Sequence, residues 1–77
     1  MSEQEWLEQF ADNLKTIMDE CGYNQKQLAA EVGTTEATIS RYLNYTQIPK
    51  APVLINIAYA LDCSLDDLMD FNERIIL

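Results

Sequence analysis

Between Gln25 and Asn44 lie two apolar-phased segments, each about two helical turns long, separated only by Gly33-Thr34-Thr35. That spacing constrains the chain more than any other feature. Leu28, Val32, Ile39 and Leu43 recur at helical intervals on either side of the break. Gly33 supplies a residue that enters the left-handed region at little cost, which stops the first helix and turns the chain. Thr34 or Thr35 is placed to cap the second. Two helices joined by so short a turn must cross steeply, and Ala29 stands where they come closest, so its side chain has to be small. The second helix, Glu36 to about Asn44, then projects its first turn outward.

The flanking sequence is equally helical. Ser2 and Glu5 form a capping box at the start of a helix over Glu3–Glu20. Leu7, Phe10, Leu14, Ile17, Met18 and Cys21 make its apolar stripe, with Trp6 at the edge, and Gly22 ends it. Asn24 and Gln27 form a second box for a helix over Gln25–Val32, with Tyr23 placed to staple onto Leu28. Ile39 and Leu43 face inward from the next helix, while Tyr42 fits either face. Pro49 bars a helix through 45–50. A fourth helix follows over Ala51–Leu61, with Pro52 tolerated in its first turn and Leu54, Ile57, Ala58 and Leu61 buried. Ser64 and Asp67 box a fifth helix over Leu65–Phe71, with Cys63 placed against Leu68. No alternating strand pattern occurs, and with two Gly and two Pro in 77 residues there is no linker. The fold class is therefore all-α, one domain over 1–77, with its core at about 3–71 and an apolar tail at 72–77.

Composition narrows the function. The chain has no His and two Cys, so a tetrahedral zinc site would need carboxylate ligands, and catalysis has no imidazole to use. No serine has an adjacent base, and no glycine-rich phosphate loop is present. Paired acids such as Asp66-Asp67 sit at a helix start, where the dipole accounts for them. The chain reads as a non-enzyme without cofactor or small-molecule substrate. Cys21 and Cys63 read as small buried or half-buried hydrophobes, which suits a reducing, cytoplasmic setting. No apolar run approaches the roughly 20 residues that span a bilayer.

The formal charge of −8 runs against a polyanionic partner, but it is unevenly spread. From Cys21 to Pro52, Lys26, Arg41 and Lys50 oppose Glu31 and Glu36, a net +1. Outside that segment Lys15 and Arg74 oppose eleven acids, a net −9. The helix pair is nearly neutral and the acid lies toward the ends.

The ordered set Gln25-x-x-Leu28-Ala29-x-x-Val32-Gly33-x-Thr35-x-x-Thr38-Ile39-Ser40-Arg41-x-Leu43-Asn44 is continued by Ile48-Pro49, Leu54-x-x-Ile57-Ala58-x-Ala60-Leu61 and Ser64-Leu65-Asp66-Asp67-Leu68. It resembles the Xre/Cro/C1-type helix-turn-helix transcription regulators, with their five-helix lambda-repressor-like domain, over roughly Phe10 to Phe71. The resemblance implies sequence-specific binding of double-stranded DNA by a phage-type or prophage-type regulator, repressor-like or Cro-like. It places Glu36, Ala37 and Arg41 against base edges. Gln25, Thr35, Thr38 and Asn44 fall at phosphate-contact positions, joined by Lys26 and Tyr45 as surface candidates. Chemistry agrees in part: Arg41 suits guanine O6 and N7, Ala37 a thymine methyl and Glu36 the cytosine amine. Two positions depart from the pattern. Many relatives carry Gln or a basic residue where this chain has Glu36, and Gly where it has Tyr45. A homodimer on two-fold half-sites is expected, with Ile75, Ile76 and Leu77 as dimer contacts. The charge also leaves open a protein-interaction module on the same fold that no longer binds DNA.

Overall fold

The computed structural model describes residues 2–69. The expected helix toward Phe71 and the apolar tail Ile75-Ile76-Leu77 thus lie partly or wholly outside the described residues. Five helices follow in order: α1 (Glu3–Cys21), α2 (Gln25–Val32), α3 (Glu36–Leu43), α4 (Ala51–Leu61) and α5 (Leu65–Met69).

Each start is fixed by local chemistry. Ser2 accepts from the Glu5 amide and Glu5 returns a bond to the Ser2 amide. Asn24 and Gln27 do the same for α2, and Ser64 and Asp67 for α5. Thr35, rather than Thr34, caps α3 by accepting from the Thr38 amide at 3.1 Å. The ends of α1 and α2 are left-handed glycines, Gly22 at φ 74° and Gly33 at φ 75°. α4 ends on a left-handed Asp62, φ 52°.

The core gathers Phe10, Leu14 and Met18 of α1, Leu28, Ala29 and Val32 of α2, Ile39 and Tyr42 of α3, Ile57, Ala58 and Leu61 of α4, and Leu68 and Met69 of α5. Phe10 and Tyr42 meet edge to face, with ring centroids 6.0 Å apart and planes at 78°. α2 crosses α3, α1 supports α3 and α5, and α4 backs α2. Asn13 adds a polar tie from α1 to α5, donating to the Leu68 carbonyl at 2.8 Å.

Three expectations are corrected. Leu43 is only half-buried, and Tyr42, which the pattern left to either face, is buried. The Tyr42 ring is buried against Phe10, while Leu43 packs against the edge of the core and stays partly exposed. Leu54 is likewise half-buried. Cys21 is exposed: it closes the last turn of α1, past the stripe, and its thiol donates to the Leu61 carbonyl at 3.6 Å. Cys63 is half-buried as expected, and burial pushes its thiol pKa up.

Candidate nucleic-acid interface

α3 has a holding face and a presenting face. Ile39, fully buried, and Tyr42, nearly so, set its rotation about its own axis. Residues a quarter- to a half-turn away then face outward, and Glu36, Ala37 and Arg41 are all exposed. Ala37 and Arg41 stand one turn apart on the same side. Among the described residues, Glu36 and Arg41 make no ion pair with each other or with anything else; the ion pair present is Lys15–Asp19 at 3.8 Å. Arg41 thus keeps its five donors for an external acceptor.

The amides around this ridge are open in a specific way. The first donors of a helix have no intrahelical acceptor. In α2 the third is satisfied by Asn24 and the fourth bonds the Asn24 carbonyl. The Gln25 and Lys26 amides remain without an acceptor among the described residues. In α3, Thr35 satisfies the Thr38 amide and leaves those of Glu36 and Ala37. Open amides at a positive helix end suit an anion such as phosphate. The Thr35 and Thr38 hydroxyls lie 3.0 Å apart, and since one proton serves the bond between them, the other remains available. Asn44 is the cap rather than the last residue of α3. Its amide nitrogen donates to the Ser40 carbonyl at 2.9 Å and hydroxyl at 3.1 Å, which holds it on this side.

Tyr45 is engaged elsewhere. Its hydroxyl donates to Asp12 Oδ1 at 2.8 Å, tying the loop after α3 to α1. That bond, with Asp12's charge, raises the phenol's pKa above 10.0. A phosphate contact from this hydroxyl requires that bond to be exchanged. The backbone here lies at φ 64°, the region that favours glycine. Tyr23, before the start of α2, donates to Glu31 at 2.7 Å, so its phenol is also raised.

Lys15 is a residue that sequence reasoning missed. It lines a shallow hollow of about 250 Å³ together with its ion-pair partner Asp19 and with Tyr23, Asn24, Gln25 and Leu43, at the α2 N-terminus. The half-buried Gln25 and the Lys15 ammonium therefore border one recess beside the open amides. Lys15 belongs to α1 and was counted with the acidic flank. Its position one turn before Asp19 gave no sign that the end of α1 lies beside the start of α2.

The interface so described is a helix-turn-helix with an outward second helix, open amides and few cations. Comparison with known proteins agrees. No curated protein sequence matches the chain. A solved structure, an HTH_3 family transcriptional regulator from Vibrio cholerae, superposes with a TM-score of 0.83 at 19% identity, covering 97% of this chain. This chain spans 42% of that regulator's length, and at such identity the likeness speaks for the fold. The helix-turn-helix family model HTH_3 matches residues 14–68, from the middle of α1 into α5. The chain belongs to the HTH_3 helix-turn-helix family, the Xre/Cro/C1-like class of DNA-binding domains.

Proposed function

We propose that this chain recognises a specific sequence in double-stranded DNA as a phage-type or prophage-type transcription regulator, with α3 in the major groove. The observation that carries this is the unpaired, outward Arg41 beside Ala37 on a helix whose opposite face is fixed by Ile39 and Tyr42. Arg41 reads guanine with two donors, Ala37 meets a thymine methyl and Glu36 accepts from cytosine N4. Gln25, Lys26, Thr35, Thr38 and Asn44 position the protein on phosphates, with Lys15 added to that set and Tyr45 joining it only when its bond to Asp12 opens. Two copies read two half-sites about one helical turn apart. Selection from random duplexes tests this. The expected result is one preferred site with two-fold symmetry; no preferred sequence even at low salt counts against it.

The acidic balance favours a second reading, a protein-interaction module on the same scaffold. Five basic residues in 77 neutralise few phosphates. A stoichiometric protein partner, together with a DNA affinity flat against salt, supports that reading over the first.

A further inference from the structure

α1 and α4 end against one another, and each end carries a cysteine. α1 leaves its last turn through left-handed Gly22 and α4 through left-handed Asp62. Both turns close in the same way: the Tyr23 amide donates to the Met18 carbonyl at 2.9 Å and the Cys63 amide to the Ala58 carbonyl at 3.0 Å. Cys21 stands just before the first turn and Cys63 just after the second. Both thiols line one open hollow of about 360 Å³ between α1 and the α4–α5 turn. The Cys21 thiol already leans across it, donating to the Leu61 carbonyl at 3.6 Å, two residues short of Cys63. Cys63 feels that approach: burial first, then Asp67, Cys21 and Asp62, hold its thiol above the ordinary range. The hollow shares no residue with the recess at the α2 N-terminus, and none of Glu36, Ala37 and Arg41 lines it. Its α1 residues Ile17 and Glu20 lie opposite Lys15 and Met18 of that recess around the helix.

We propose that Cys21 and Cys63 form a thiol–disulfide exchange site for small cationic disulfides, and that the site closes as a bond joining the end of α1 to the turn between α4 and α5. Cys21 is exposed and meets the reagent first; Cys63 is half-buried and resolves it. The Cys21 thiolate attacks one sulfur of the reagent, whose S–S bond breaks, and one half leaves as a thiol carrying a proton equivalent to the one Cys21 released. Cys63 then gives its proton to water and attacks Cys21 Sγ, expelling the second half, which is protonated in turn. Two protein thiols are oxidised to one disulfide and the reagent is reduced to two thiols, so electrons and protons balance. The surroundings select the charge of the reagent. Glu20, Asp62 and Asp67 rim the hollow, all exposed, and the C-terminal ends of α1 and α4 add partial negative charge. Such a field repels an anionic disulfide and draws in a cationic one. Closure swings the Cys21 side chain off the Leu61 carbonyl and gives up that weak hydrogen bond. In return the bond closes a loop that holds the whole of α2, α3 and α4, which restricts the unfolded chain. The pair is thus a covalent lock on the domain, set apart from the outward ridge of α3.

Treatment of the full reduced chain with cystamine, a small diamine disulfide, and in parallel with anionic glutathione disulfide tests the proposal. Mass spectrometry should find the wild type lighter by two hydrogen atoms, with one peptide pair joining Cys21 to Cys63, and excess dithiothreitol should reverse the change. With each rate normalised to that of a free small thiol, cystamine should react about tenfold or more faster than glutathione disulfide at low salt. The gap should close as salt screens the acidic rim. The oxidised chain should melt roughly 10 °C or more above the reduced one. Cys63→Ala should stop at a mixed disulfide on Cys21, and Cys21→Ser should react many-fold more slowly, both with circular dichroism unchanged. A wild-type chain that stops at the mixed disulfide, links two chains, or closes the bond only in denaturant overturns the proposal. So does an internal bond that leaves the melting temperature where it was. Equal normalised rates overturn the assignment of a cationic reagent.

Discussion

Tyr45 and Asp12, 33 residues apart in sequence, are joined by a 2.8 Å hydrogen bond that fastens the loop after α3 to the flank of α1. The donor is a phenol and the acceptor a carboxylate, so the bond favours the neutral phenol and raises its pKa above 10.0. The folded state thus holds this proton more tightly than the unfolded chain. The resulting stabilisation is fully present below the unfolded value near 10.0 and is lost as pH rises through the folded one. Ultraviolet titration should show one tyrosine ionising late because of Asp12, and Asp12→Ala, which removes both acceptor and charge, should return it toward 10.0. An unchanged titration in that variant would exclude the bond.

Arg41→Ala should relax the preference for the selected site at one base pair while leaving the fold intact. The side chain is exposed and has no intramolecular ion pair among the described residues, so little native structure depends on it. The loss of discrimination should be about 1–3 kcal/mol at one base pair. A mobility-shift titration on the selected site and on its single-base variants measures it, with a thermal melt as control.

Glu36→Gln should strengthen binding to random DNA. The carboxylate stands at the exposed start of α3, where it repels phosphate on every sequence. The amide removes that repulsion, and it also exchanges an acceptor suited to cytosine N4 for a group suited to adenine. Selection with the variant should therefore shift one position of the preferred site. A site unchanged at every position would show that Glu36 reads no base.

Gly33→Ala isolates the backbone. A methyl group added there meets nothing within 4 Å, so crowding is not the issue. The left-handed φ of 75° is, and it costs a residue bearing a Cβ about 1–2 kcal/mol. The melting temperature should fall by several degrees for a domain of this size, with circular dichroism of the folded state unchanged. A loss of helix at low temperature would show that the turn also carries packing.

Much of this molecule was legible because its signals are local. Capping boxes at Ser2, Asn24 and Ser64, left-handed glycines at 22 and 33, and Pro49 bound the helices without reference to tertiary structure. The bounds of α2 and α4 matched the expectation residue for residue. What could not be read depends on contacts distant in sequence. Tyr42 is buried more deeply than Leu43 and meets Phe10 edge to face, and periodicity alone does not reveal that neighbour. Cys21 falls in phase with the α1 stripe yet meets only the end of α4, at the Leu61 carbonyl, and stays exposed. Lys15 reaches the α2 N-terminus only through the path of the chain around Gly22. In the candidate interface, exposure of Glu36, Ala37 and Arg41 followed from their phase. The engagement of Tyr45 with Asp12 did not, since the two are far apart in the chain. The Gly that many relatives carry at position 45 is explained by the φ of 64° found there, a demand that Tyr45 meets while anchored through its ring hydroxyl.

The division of α3 into a half held by Ile39 and Tyr42 and a half that stands free has an evolutionary corollary. Substitutions at 36, 37 and 41 leave the buried seam untouched, so these exposed positions can change without passing through unstable intermediates. The scaffold behaves as a fixed handle with an exchangeable bit, and under the proposed function a laboratory seeking new targets would begin by varying those few exposed positions.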